Sequence, residues 1–407
     1  MVSSMVRTHR RAVDQNERVD IRAATGGAGL THEEAPRPVG LMGSLRRSWW
    51  AVPALIAVAS RLWGAGLVYA FGATSWPAFL APPAAGPATT WDGAWYLSIA
   101  RSGYHAAPLL LSDRGGYHDF AFWPAWPGVL APIVRLVPDA WVDVSAALAA
   151  NALAVVALVL WARVLEPAFG RRDARYAIAF VGFAPSAFIL SMAYSEPLFL
   201  LAAAAFFLTR TESRWRPVLA ALAQATRVTG FAVAASVLPE LARTRGRDRR
   251  LWLTLAAPLL VFAGWWLFIA VLTGDPAGFL QGTPSWLHVT GQESGPASFL
   301  PDIARDPRYA RPILIWAVFM VAMVVGALRL FRRGLPQFGW YAVAALLPTL
   351  IFASWQSMPR HALLAVPAVA AVIQPLPDRL RWPLLALSIL AEIVVAESMV
   401  GMRLISP

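Results

Sequence analysis

Asp92 stands in the stretch W-D-G-A-W-Y-L-S-I-A-R-S-G-Y, residues 91–104, a lone carboxylate among aromatic residues after a Pro/Gly/Ala-rich run. A carboxylate so placed can take a proton in catalysis or cap a helix. Residues 93 to about 101 have helical spacing. Trp91, Trp95 and Ile99 recur every four residues, and Gly103 falls where a left-handed stop is usual. That pattern predicts a short helix lying in the membrane interface, with its aromatic stripe toward lipid. As the N-cap of that helix, Asp92 accepts backbone N–H bonds of the first turn. The two roles are compatible, since a cap also fixes the carboxylate in place, and the residues alone leave both open.

Other charges stand in equally apolar surroundings. His118 and Asp119 open H-D-F-A-F-W-P-A-W-P at 118–127, and Glu196 lies between two apolar runs in A-Y-S-E-P-L-F-L at 193–200. As structural residues these read as helix entries, with Glu and Pro favourable in a first turn. A single His-Asp pair has too few ligands to hold a metal. Arg61 falls inside an apolar segment, Arg227 in A-T-R-V-T-G and Arg360 in S-M-P-R-H-A-L. A charge at the centre of a bilayer costs at least about 2.5–3.5 kcal/mol, so such residues tend to be paired and functional. The guanidinium fork matches a phosphate or a carboxylate. The chain has no P-loop, no G-x-S-x-G elbow, no H-E-x-x-H and no paired carboxylates of the DxD type. Absence of the last argues for a donor that is not a nucleotide sugar.

The elements that must position these residues are membrane helices. Of the 407 residues 58% are hydrophobic and 14% charged, against about 25% charged in soluble domains. Apolar runs recur along the chain, and in lipid each must cross as a helix to satisfy its backbone. There is no cysteine, hence no disulfide and no thiolate site. All 35 basic residues are arginine. They cluster beside apolar runs, as cytoplasmic loops do under the positive-inside rule, so the net charge of +12 does not point to nucleic acid.

Residues 1–45 read as a disordered, Arg-rich cytoplasmic tail, and 46–407 as one transmembrane domain. The first span runs from about 49 to 71, which puts a long loop at about 72–122 outside. Further apolar segments lie near 123–138, 144–165, 176–194, 195–209, 217–240, 251–273, 312–330, 338–354, 362–376 and 381–402. The basic stretches at 171–175, 210–216 and 243–250 cannot all be cytoplasmic if each segment crosses once, so 123–138 or 217–240 is expected to be re-entrant or broken. About nine to eleven spans result, with a second outer loop at about 274–311 on the same side as Asp92. The fold expected is an all-α polytopic membrane protein with interfacial helices in its first outer loop.

Taken in order, W-D-G-x-W-Y-L-x-I-A-x-x-G-Y, A-F-W-P-A-W-P, A-Y-S-E-P-L-F-L, A-T-R-V-T-G and P-R-H-A-L-L-A-V-P resemble the PIG-V-like mannosyltransferases. That family includes GPI mannosyltransferase 2. The resemblance spans about residue 49 to the C-terminus. It implies a GT-C glycosyltransferase that takes mannose from a polyprenyl-phosphate carrier, works on the extracytoplasmic face of a bacterial plasma membrane, and needs no metal or other cofactor. The essential acidic residue of the first outer loop then falls on Asp92. Trp95-Tyr96 and His361 stand where eukaryotic relatives usually have His-Phe and Tyr, differences that bear on the acceptor, which could be a glycolipid, a lipoglycan or a protein. In this reading Asp92 is the general base, Arg360, then Arg61 and Arg227, hold the donor phosphate, and Glu196, Asp119 and His118 position the acceptor. The alternative is a transporter or lipid flippase with intramembrane arginines, although no internal repeat supports it.

Overall fold

A computed structural model describes residues 48–72, 84–112, 115–282, 300–305, 307, 310–352 and 357–401. The expected tail and most of the expected second outer loop lie outside the described residues. Helix α1 (Ala51–Phe71) is the first apolar span, about 31 Å long at 1.5 Å per residue. After it comes a 3₁₀ turn at Pro87–Thr89 and helix α2 (Asp92–Ser102). A small antiparallel hairpin, β1 (Leu110–Ser112) and β2 (Gly115–Tyr117), holds the only strands among the described residues. Two helices follow, α3 (Ala125–Leu136) and α4 (Asp139–Phe169).

Helix α4 is the spine of the bundle. Ala146, Ala150, Ala154 and Ala157 are fully buried on one face, and small residues at this spacing let neighbouring helices approach closely. Against it pack α5 (Arg171–Gly182) and α6 (Glu196–Leu208). Trp161 of α4 donates its indole N–H to the Leu200 carbonyl at 3.1 Å. The chain continues through α7 (Trp215–Thr226), α8 (Phe231–Ala235), α9 (Leu238–Arg243) and the long α10 (Arg249–Thr273). Next come α11 (Leu300–Arg305), α12 (Ala310–Arg332), α13 (Pro336–Phe352), α14 (Met358–Ala362), α15 (Val366–Ile373) and α16 (Asp378–Ala396).

Among the described residues, five helices are long and apolar enough to cross a membrane: α1, α4, α10, α12 and Asp378–Val400. The protein is therefore an all-α integral membrane protein. Several of the other expected apolar runs are not single long helices. The 217–240 run is broken as anticipated, into α7, a 3₁₀ turn at Val228–Gly230, α8 and α9. The 176–194 run is broken too, which was not anticipated. Helix α5 stops at Gly182, and F-A-P-S leads into a 3₁₀ stretch at Ala187–Ser191. Pro185 explains the break, since it offers no N–H and crowds the preceding turn. The 123–138 run is a single helix, α3, of 12 residues, about 18 Å and too short for a straight crossing.

The aromatics of helix α2 do not face lipid. Trp91, Trp95, Tyr96 and Ile99 are all buried, and Trp95 stacks on Phe122 at 5.7 Å between ring centres. Trp95 and Ile99 share an apolar cluster with α3 and α4, while Trp91 belongs to a second cluster with Leu67, Val68, Ala88 and Phe188. The other expected feature of α2 is present: Gly103, at φ 79°, closes the helix with its N–H on the Ile99 carbonyl at 2.8 Å.

A four-charge candidate active site

Two carboxylates and two guanidiniums from four distant stretches of chain meet in one buried cluster. Arg360 Nη1 lies 2.5 Å from Asp92 Oδ2, and Arg227 Nη1 lies 2.7 Å from Glu196 Oε1. Arg360 Nε stands 3.9 Å from the same Glu196 oxygen, so the charges alternate in a chain Asp92–Arg360–Glu196–Arg227. Glu196 and Arg227 are 3% and 10% exposed, whereas Arg360 and Asp92 keep 14% and 16%. The Asp92–Arg360 end is thus the more exposed one.

Each charge is delivered by a helix terminus or a break. Asp92 and Glu196 are the first residues of α2 and α6, where the helix dipole favours a carboxylate. Arg227, in extended backbone, lies just past the last residue of α7, and Arg360 sits in the one-turn helix α14. Irregular backbone at membrane depth is tolerated where it is buried in protein or lines a cavity. The breaks in the apolar runs are therefore what bring these side chains together.

The capping role expected of Asp92 is not taken up. The N-cap is Trp91, at φ 61°, and no side chain caps the helix. The Asp92 carboxylate turns to Arg360 instead. Burial raises its pKa above the ordinary carboxylate value, with Arg360 offsetting part of that rise and Glu196 adding to it. Around the cluster, the Arg360 guanidinium lies over the Tyr194 ring at 5.4 Å, and Tyr96 donates to Ser195 Oγ at 3.0 Å.

Three predicted site residues have other surroundings. Arg61 hydrogen-bonds the Gly182 and Ala187 carbonyls, each at 2.7 Å. Asp119 does not pair with His118. Its Oδ2 accepts the His105 backbone N–H at 3.2 Å and lies 3.0 Å from His105 Nδ1, while His118 stacks on Phe120. Burial raises the Asp119 carboxyl, partly offset by its hydrogen bond with His105, and lowers the His118 imidazole, partly offset by Asp119. The described residues contain no group of three or more His, Asp or Glu placed to hold a metal ion.

Asp143 is a supporting residue that sequence reasoning missed, since the predicted span begins one residue after it. Its carboxylate is 5% exposed and accepts from Tyr69 Oη (2.7 Å), the Thr89 N–H (2.9 Å) and Thr89 Oγ1 (2.8 Å). It fastens the turn before Asp92 to α1 and α4. The Ala193 N–H on the Ala88 carbonyl, at 2.8 Å, ties the same turn to the strand of chain that leads to Glu196. Replacing Asp143 by alanine takes an acceptor from Tyr69 and leaves the buried Thr89 N–H and Oγ1 to share the Gly86 carbonyl, at 3.2 and 3.1 Å, at about 1–3 kcal/mol in all. Equilibrium denaturation in mild detergent is expected to register a loss of that size, and an unchanged midpoint would show the clamp to be dispensable.

No protein-family profile matches the chain, and no curated protein matches it in sequence. Among solved structures it is similar to an oligosaccharyltransferase of Archaeoglobus fulgidus tethered to an acceptor peptide. The identity is 13% and the TM-score 0.48, over 88% of this chain and 56% of that one. It is also similar to the oligosaccharyltransferase AglB of the same organism, in complex with an inhibitory peptide and a dolichol-phosphate. There the identity is 14% and the TM-score 0.46, over 86% of this chain and 56% of that one. The chain thus spans little more than half the length of either, and similarity this low defines no shared family.

Proposed function

We propose that the protein is a GT-C-type membrane glycosyltransferase of the PIG-V-like group. In this reading it transfers mannose from a polyprenyl-phosphate donor to an extracytoplasmic glycolipid, lipoglycan or protein. The observation that carries the proposal is the Asp92–Arg360 pair at 2.5 Å, at the more open end of a buried cluster with two carboxylates and two guanidiniums. A lipid-linked sugar phosphate is already activated as a leaving group. Its transfer needs a base for the acceptor hydroxyl and cations for the departing phosphate. Asp92 meets the first need; Arg360 and Arg227 meet the second.

The donor phosphate competes with Asp92 for Arg360. On binding, it takes the guanidinium fork, and the Asp92 carboxylate is released toward the acceptor. The acceptor O–H proton passes to Asp92 as the acceptor oxygen bonds to the anomeric carbon from the face opposite the phosphate. The bond between that carbon and the phosphate oxygen breaks with inversion, and the electron pair leaves on polyprenyl phosphate, beside Arg360 and Arg227.

A pH profile follows from the exchange of partners. Asp92 must be ionised to act, so the rate falls as pH drops through its pKa. Burial puts that limb above the ordinary carboxylate range in the free protein. Diverting Arg360 to the phosphate removes a cation that favours the ionised form, so the carboxyl rises further in the complex. The acidic limb of kcat is expected at higher pH than that of kcat/KM, because the two report the bound and free states. Limbs that coincide would remove the partner exchange from the account. The reaction class itself is tested with purified protein in vesicles supplied with radiolabelled polyprenyl-phosphate mannose. Label appearing on an acceptor supports transfer, and label crossing the bilayer still attached to its lipid supports a flippase instead.

A further inference from the structure

The unwound segment between α5 and α6 is the point where the supports of three of the four charges are fastened. Its Ala193 carbonyl accepts from Trp126 Nε1 at 2.7 Å, and its Ala193 N–H holds the Ala88 carbonyl in the turn before Asp92. Ser186 Oγ donates to the Pro359 carbonyl at 3.1 Å, next to Arg360. Tyr194 underlies Arg360, Ser195 receives Tyr96, and Glu196 follows directly. One stretch of chain therefore touches the supports of Asp92, Arg360 and Glu196.

A break of this kind frees backbone carbonyls that lipid cannot satisfy. Arg61, buried on α1, satisfies two of them. Nη2 donates to the Gly182 carbonyl where α5 ends, and Nη1 to the Ala187 carbonyl and to Ser191 Oγ at 3.1 Å. Ser191 in turn donates to Asn151 Oδ1 of α4 at 2.9 Å. From the other side, Ser388 of α16 donates to the Phe183 carbonyl at 2.7 Å. Gly64 lets α1 approach this closely, since a Cβ there would stand 2.8 Å from Ser191 Oγ and 3.2 Å from Phe188 Cα. The charge of Arg61 is faced by Glu392, which is wholly buried on α16.

We infer that Arg61 is a positioning residue, which holds the unwound 183–195 segment and through it sets Arg360, Glu196 and the turn before Asp92. It does so without touching the donor phosphate. Its planar fork reaches carbonyls in different directions at once, which a lysine ammonium cannot reproduce. The kinetic part of this inference rests on the transfer reading above; the structural part does not.

The test compares the wild-type protein and Arg61→Lys in lipid nanodiscs by hydrogen–deuterium exchange, which reports local opening. The expected result is exchange about ten-fold faster at 183–195, with a rise also at 84–94 and 357–363 and none in α10 or α12. A rise confined to 182–191, or no rise, overturns the inference. Transfer assays add a double-mutant cycle with Arg360→Lys. If Arg61 acts through Arg360, the double variant loses clearly less than the product of the two single losses. Losses that multiply, or a higher donor KM with unaltered exchange, overturn the inference, and the latter returns Arg61 to the phosphate. If Arg61→Lys does not fold, Ser186→Ala decides. Removing its bond to Pro359 is expected to speed exchange at 357–363, and no change there overturns the inference. Should wild-type protein transfer no sugar, the functional proposal fails while the exchange pattern still decides the role of Arg61.

Discussion

Asp92→Asn is expected to lower the turnover of sugar transfer by about 10²–10⁴-fold, the range that a general base contributes. The asparagine keeps the shape of the side chain and loses the site that takes the acceptor proton. Asparagine also caps helices about as well as aspartate, but that equivalence is not at issue here. Trp91 occupies the cap position and no side chain caps α2. The loss should therefore come without fraying of α2. Arg360 retains the Tyr194 ring and the Glu196 oxygen at 3.9 Å, so the guanidinium still has company when its nearest anion is gone. Radiolabel transfer and thermal unfolding on the same preparation separate the two effects. Near-normal transfer by the variant would exclude Asp92 as the base.

Arg227→Met is expected to be among the most destabilising single changes in the chain. Glu196 is 3% exposed and pairs with Arg227 at 2.7 Å, with Arg360 only at 3.9 Å. Removing one partner of a buried ion pair leaves an uncompensated charge, at about 3–5 kcal/mol. Removing both is far milder, because no charge is then stranded. Arg227→Met combined with Glu196→Gln should recover most of the stability while leaving transfer impaired. Equilibrium denaturation of the two variants gives both numbers. A single variant as stable as the wild type would mean that Glu196 is satisfied by Arg360 alone.

The parts of this site that could be read from sequence are the charges that stand out against apolar surroundings. Asp92, Glu196, Arg227 and Arg360 are each isolated in runs where a charge is costly. That cost is what marks them, and the structure brings these four together. What could not be read is who partners whom. Local spacing gave Asp92 a cap to make, whereas its partner, Arg360, lies in another part of the chain. Periodicity identified the Trp91–Trp95–Ile99 face but not what covers it. An aromatic stripe meant for lipid and one meant for other helices have the same spacing, and here α3 and α4 cover Trp95 and Ile99 while α1 helps to cover Trp91. The same limit hid the partner of Asp119. His118 is its neighbour in sequence, but the loop after α2 brings His105 to the carboxylate.

Breaks were partly legible. The conflict of basic stretches with the charge rule flagged 217–240, because charge placement is a global constraint. It gave no warning at 176–194, where the signal was the local F-A-P-S at 183–186 inside a run apolar enough to pass for a helix. Asp143 was hidden differently. It lies in the first turns of α4, where a carboxylate looks like an ordinary helix start, and its work is done on Thr89 and Tyr69.

The most direct test of the central claim is an experimental structure of the protein with polyprenyl phosphate bound in a nanodisc. The account predicts the phosphate on the Arg360 guanidinium, within reach of Arg227, with Asp92 displaced from Arg360 and turned toward the acceptor side. Phosphate bound elsewhere, with the Asp92–Arg360 pair intact, would contradict it.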